Sequence, residues 1–81
     1  MKNVIITGTS RGIGLELALL FASKGHQVAA ISRKVAPQLL GNQNITCLSA
    51  DLSTQKGINE IAYFISSSWK KVDIIIHNAS F

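Results

Sequence analysis

Thr7-Gly8-Thr9-Ser10-Arg11-Gly12-Ile13-Gly14 lies between an apolar run, Val4-Ile5-Ile6, and a helix-like run from Leu15 to Phe21. A continuous β-branched run suits a central parallel strand buried on both faces. Strand, glycine turn and helix in that order make a phosphate-binding device. The helix N-terminus presents unpaired backbone N–H groups and the positive end of its dipole. The glycines let the backbone turn sharply and let a pyrophosphate come close.

The rest of the chain continues the alternation. Asn3 to Thr7 reads as the first strand and about Gly12 to Lys24 as the first helix, with Leu17, Leu20, Phe21 and Lys24 on one side. Ala18 and Ala22 add small residues for close packing, and Gly25 stands where a helix ends. Gln27 to Ser32 is the second strand, whose Ala29 and Ala30 leave room for the first helix. Pro37 opens one short helical turn, and Gly41 to Asn44 is a loop. Ile45 to Ala50 is the third strand, and Ser53 looks like a helix cap. Ile58, Ile61, Ala62 and Ile65 then mark an amphipathic helix of about Thr54 to Ser68, with Trp69 continuing the stripe. Val72 to His77 is the fourth strand. This order predicts an α/β fold, a parallel sheet with right-handed crossovers and helices on both faces. It is the Rossmann type in part, with strand order 3-2-1-4, over one domain spanning residues 1–81. The order reverses between strands 1 and 4, so a dinucleotide is expected across the crevice at their C-terminal ends.

Composition narrows the function classes. With 81 residues and 47% hydrophobic residues, the chain suits one packed domain and not a disordered segment. No apolar run approaches the ~18 residues of a membrane span. Met1 stands just ahead of the first strand with no room for a signal peptide, so the expectation is a cytoplasmic protein without membrane partners. Cys47 is the only cysteine and reads as an inert core residue. His26 and His77 have no ligating neighbours in sequence, which argues against a metal site. The net charge of +4 is scattered, with no cluster that marks a nucleic-acid binder. Arg11, Arg33 and Lys34 read instead as converging on an anionic ligand.

The glycines at Gly8, Gly12 and Gly14, led by Thr7, form Thr-Gly-x-x-x-Gly-x-Gly. This resembles the motif of the short-chain dehydrogenase/reductase family. The extended branch of that family has its second glycine where Arg11 stands, and the Gly-Lys-Ser/Thr of a nucleotide hydrolase is absent. Three further spots at strand ends carry the resemblance. After strand 2 comes Ser32-Arg33, where an NAD binder has an acid for the ribose hydroxyls. Arg33 and Arg11 suit a 2′-phosphate, with Ser32 adding a hydroxyl, so NADP(H) is preferred over NAD(H). After strand 3 comes Asp51-Leu52. The resemblance implies that Asp51 touches the adenine amino group and Leu52 lies along the ring, while a turn or cap aspartate is the simpler role. After strand 4 comes His77-Asn78-Ala79-Ser80, similar to the family's Asn-Asn-Ala-Gly, in which Asn78 and Ala79 match and His77 and Ser80 depart. That motif is implied to steady the sheet and line the cofactor ribose.

The implied cofactor contacts are therefore Gly8, Thr9, Ser10, Arg11, Gly12, Ile13, Gly14, Ser32, Arg33, Asp51, Leu52, Asn78 and Ala79. No catalytic residue is assigned. The family's Ser, Tyr-x-x-x-Lys pair and Asn all follow strand 4, and the only tyrosine, Tyr63, has Ser67 four residues on. The resemblance implies the N-terminal cofactor-binding segment of an NADP(H)-dependent oxidoreductase. The complete protein would act on a small carbonyl or alcohol substrate, and a homo-oligomer is allowed. The alternative is a truncated, non-catalytic nucleotide-binding fragment.

Overall fold

The computed structural model describes residues 1–78. Four parallel strands, β1 (Asn3–Thr7), β2 (Gln27–Ser32), β3 (Ile45–Ser49) and β4 (Ile74–Ile76), form one sheet in the order β3-β2-β1-β4. β1 sits inside the sheet, with Ile5 opposite Ala29 on one side and Ile75 on the other. Helix α1 (Gly12–Ser23) follows β1, and α2 (Gln55–Phe64) follows β3. The connection from β2 to β3 carries only a 3-10 turn, Pro37–Leu39.

Strand alternation divides the core between two faces. Val4, Ile6, Val28, Ala30 and Ile45 pack with α1 and with Leu39 of the 3-10 turn. Ile5, Ala29 and Ile31 pack on the other face, with Ile61, Phe64, Ile65 and Trp69 against them. The two faces correct three expectations. Ala30 alone faces α1, while Ala29 makes room for α2. The buried side of α1 is Gly14, Leu15, Ala18 and Ala22, and Leu20 is exposed. Small residues bring the helix axis close to the sheet, and Leu20, two residues on from Ala18, lies on the far side of α1. On α2 the half-buried stripe runs through Ile61, Phe64 and Ile65, leaving Ile58 and Ala62 exposed.

The ends of α2 also differ from expectation. Thr54, not Ser53, caps the helix: its hydroxyl oxygen accepts from Gly57 N–H at 3.0 Å. Beyond Phe64 the chain widens into a π-helical turn, Ile65–Trp69, closed by Lys70 N–H donating to Ile65 O. Trp69 packs edge-on against Phe64 at 5.1 Å between ring centres. Lys70 then takes a left-handed conformation, φ 65°, that turns the chain toward β4. β4 lies at a sheet edge. Ile74 and Ile76 pack on the α1 face, while Ile75 is 67% exposed.

A polar clasp fixes the entry of β4. Asn3 N–H donates to the Asp73 carboxylate at 2.8 Å, and Asp73 N–H donates to Asn3 O at 2.9 Å. The Asn3 side chain adds a bond to Lys71 O at 3.0 Å. The Asn3 N–H, with help from Lys71 and Lys2, holds the Asp73 carboxyl below the usual carboxylate range. Its stabilising contribution is therefore complete above the titration range of the unfolded chain and drains away as pH falls through the lower folded value. Asp73→Asn is expected to flatten the acid limb of a urea-stability curve recorded against pH. An acid limb of unchanged slope would overturn this.

Candidate functional site

The C-terminal ends of all four strands open on one rim, and the glycine stretch forms its centre. Gly8 and Gly12 have φ of 70° and 65°, values that favour residues without a Cβ. The loop is tied to the end of β2: Gly8 N–H donates to Ile31 O at 2.9 Å, and the Thr9 hydroxyl donates to the same oxygen at 3.3 Å. Thr9 is thus buried and shapes the loop from within. Ser10, Arg11, Gly12 and Ile13 are exposed around the start of α1. Arg11 occupies the cap position with extended backbone and makes no side-chain cap, and the first turn of α1 carries no acid. The positive end of α1 therefore meets no negative charge from its own first turn.

Gly14 is buried for a reason other than room for a ligand. A Cβ there would lie 2.1 Å from Gly8 O and 2.7 Å from the Asn78 side-chain amide. Its bareness lets α1 press on the backbone of the turn. Asn78 completes the junction: its N–H donates to Thr7 Oγ1 at 3.0 Å and its side-chain amide reaches Gly8 O at 3.4 Å. His77 Nδ1 lies 3.0 Å from the same Thr7 oxygen. His77 thus joins the brace between β1 and β4, the structural role its strand-end position suggests. Ala79 lies outside the described residues.

The second part of the rim lies after β2 and β3. The Ser32 hydroxyl donates to Lys34 O at 2.8 Å, so its proton is engaged within the turn. Arg33 is exposed, and its carbonyl accepts from the Ser49 hydroxyl at 3.0 Å. Arg33, Ser49, Ala50, Asp51, Thr54 and Gly57 contribute to an open recess of about 260 Å³. Asp51 Oδ1 accepts from both the N–H and the hydroxyl of Ser53, at 2.9 and 2.6 Å. These bonds, with the Arg33 charge added, hold the Asp51 carboxyl below its usual range. Asp51 is thus a turn aspartate that also faces the recess. Leu52 packs partly against the α2 core.

Ser49, Thr54 and Gly57 had no part in the sequence-derived site. Gly57 carried a usable signal: glycine is a poor helix former, and in the first turn of α2 it marks a close approach. A larger open groove of about 700 Å³, bordered by Leu48, Tyr63 and Phe64, shares no residue with the glycine loop. Tyr63 is 73% exposed on α2, and Ser67 donates its hydroxyl to Tyr63 O at 2.7 Å. Among the described residues no three His, Cys, Asp or Glu side chains gather as a metal site. Burial pushes the Cys47 thiol up, as expected of a packing residue.

Known proteins share this arrangement. The short chain dehydrogenase family model matches residues 2–81. The NADPH-dependent pterin aldehyde reductase of Arabidopsis thaliana is 33% identical over 84 residues, covering 96% of this chain and 35% of its own. Dihydromonapterin reductase of an Enterobacter species is 38% identical over 81 residues, covering 98% and 34%. The crystal structure of a short chain dehydrogenase from Leptospira borgpetersenii with bound NAD+ superposes with a TM-score of 0.89 at 29% identity, over 99% of this chain and 32% of that one. A parallel sheet with a Thr-Gly-x-x-x-Gly-x-Gly turn at its reversal point thus has its counterpart in a known group, and the chain belongs to the short-chain dehydrogenase/reductase family. It spans about a third of the length of these curated relatives. Among the described residues no helix is long and apolar enough to cross a membrane.

Gly14→Ala tests the junction. Helix propensity alone would make alanine stabilising by about 1 kcal/mol. The Cβ meets backbone that cannot swing aside, so overpacking costs of about 1–3 kcal/mol are expected to win. Urea unfolding should show a net loss of stability; a gain would mean that α1 and the turn are not in contact.

Proposed function

We propose that residues 1–81 form the N-terminal, cofactor-binding part of an NADP(H)-dependent oxidoreductase. The observation that carries this reading is the charge pattern of the rim. Arg11 stands at the start of α1, Arg33 follows β2, and no acid occupies the position after β2 that favours NAD. The pyrophosphate lies against Ser10 to Ile13 and the N–H groups of α1. Arg11 and Arg33 grip the 2′-phosphate by charge-assisted hydrogen bonds. Ser32 plays no donor part while its hydroxyl donates to Lys34 O. The adenine enters the recess beside Arg33, where its amino group donates to Asp51 and Leu52 borders the ring. Asn78 holds the turn against β4 near the ribose. The NADPH dependence in the name of the pterin aldehyde reductase supports the cofactor choice.

When bound, a reduced nicotinamide would supply a hydride to a carbonyl carbon and an oxidised one would accept a hydride from the matching alcohol, so the complete protein reduces a small carbonyl compound or runs the reverse oxidation. Its proton-transferring groups lie outside residues 1–78, because Tyr63 stands on α2, away from the glycine rim. That placement also favours a second reading, a nucleotide-binding polypeptide without catalysis. Consumption of NADPH over a panel of aldehydes and ketones separates the two.

The expected cofactor preference is NADPH over NADH by about one to two orders of magnitude, from a charged hydrogen bond worth roughly 1.5–3 kcal/mol. Arg33→Asp is expected to erase or reverse it. Nucleotide-fluorescence titration measures both affinities, and equal binding by the unmodified protein would refute the reading.

A further inference from the structure

Gly57 stands against the backbone of Asp51. A Cβ on Gly57 would lie 2.0 Å from Asp51 O, 2.6 Å from its carbonyl carbon and 3.0 Å from its nitrogen. All three are backbone atoms, so none can rotate away. Thr54 locks the same contact. Its hydroxyl donates to Asp51 O at 2.8 Å, its N–H donates there at 3.1 Å, and its oxygen accepts from Gly57 N–H at 3.0 Å. The Asp51 carboxylate is turned by Ser53, which occupies Oδ1. Among the described residues no hydrogen bond is made to Oδ2. Asp51, Thr54 and Gly57 all border the recess beside Arg33.

We propose that Gly57 is a positioning residue for base selectivity: its lack of a side chain lets α2 press on Asp51 and set the carboxylate where it accepts from a 6-amino purine. This rests on the assignment of the recess to the adenine. A carboxylate in that place favours adenine, whose 6-amino group donates, over hypoxanthine, whose 6-oxo group is an acceptor and is repelled. Selectivity then depends on where the Asp51 backbone sits, and Gly57 with Thr54 sets that place.

The test is fluorescence titration of the purified protein with NADPH and with its hypoxanthine counterpart. The unmodified protein is expected to prefer NADPH by about tenfold or more. Gly57→Ala should bring the ratio of the two affinities close to one, as should Asp51→Ala. A merely destabilising change weakens both nucleotides alike and leaves the ratio unchanged. Loss of selectivity in Asp51→Ala with selectivity kept in a folded Gly57→Ala overturns the role of Gly57. No selectivity in the unmodified protein, or full selectivity in Asp51→Ala, overturns the adenine assignment itself and the inference with it. If circular dichroism shows Gly57→Ala unfolded, Thr54→Val removes the hydroxyl from the same clamp without adding bulk. Its loss of selectivity then supports the proposal, and its retention overturns it.

Discussion

The contact on which the rest depends is backbone against backbone: α1 meets the carbonyl of Gly8 at Gly14, with nothing between them. That approach fixes where the helix begins relative to the end of β1, and so where its free N–H groups point. The glycine-loop half of the rim is referred to this junction. Ile31 O holds the loop from the β2 side, and Thr7 and Asn78 hold it from the β4 side. A phosphate site made of main-chain donors has no side chains to adjust, so its geometry must be supplied by packing.

The same device occurs again at Asp51, where α2 meets the rim through Gly57. Both helices begin on the C-terminal side of the sheet and approach a strand-end loop through a bare glycine. They do so on opposite faces. Between them lie the two parts of the rim, one rich in main-chain donors and one holding Arg33 and Asp51. The sheet separates the two contacts, so each can be disturbed without moving the other's helix.

The strands and the glycine turn were legible because their signals are local. A β-branched run, the glycines of the first turn and a change of period occur within a few residues of one another. The strand order followed from the Rossmann pattern that the alternation and the glycine turn point to, and not from any single residue. Side-chain facing was less legible. Ala29 and Ala30 look equivalent in sequence, but strand alternation sends one to each face, and only Ala30 meets α1. Leu20 and Ile58 look like core residues, but Leu20 lies on the side of α1 opposite Ala18, and on α2 it is Gly57, beside Ile58, that meets the backbone of Asp51. Ser53 and Thr54 are both good cap residues; the choice between them is made by Asp51, whose carboxylate takes Ser53 and leaves Thr54 for the helix. A glycine in such a motif suggests room for a ligand, whereas a Cβ at Gly14 would meet the Gly8 carbonyl and the Asn78 side chain.

The 3-10 turn between β2 and β3 has a consequence for the order of assembly. Parallel strands need a connection of roughly a dozen residues or more, and residues 33–44 are close to that minimum. A short loop loses less chain entropy on closure than a long one. The β2–β3 pair is thus the least costly in the sheet to form, and Leu39 seals it on one face as it forms. The β1–β4 pair joins residues at opposite ends of the described chain. It pays the largest closure cost and belongs to the end of folding, when the glycine loop already has β2 to rest on. The half of the rim that holds Arg33 and Asp51 is therefore nucleated locally, while the half braced by Asn78 waits for the chain to return.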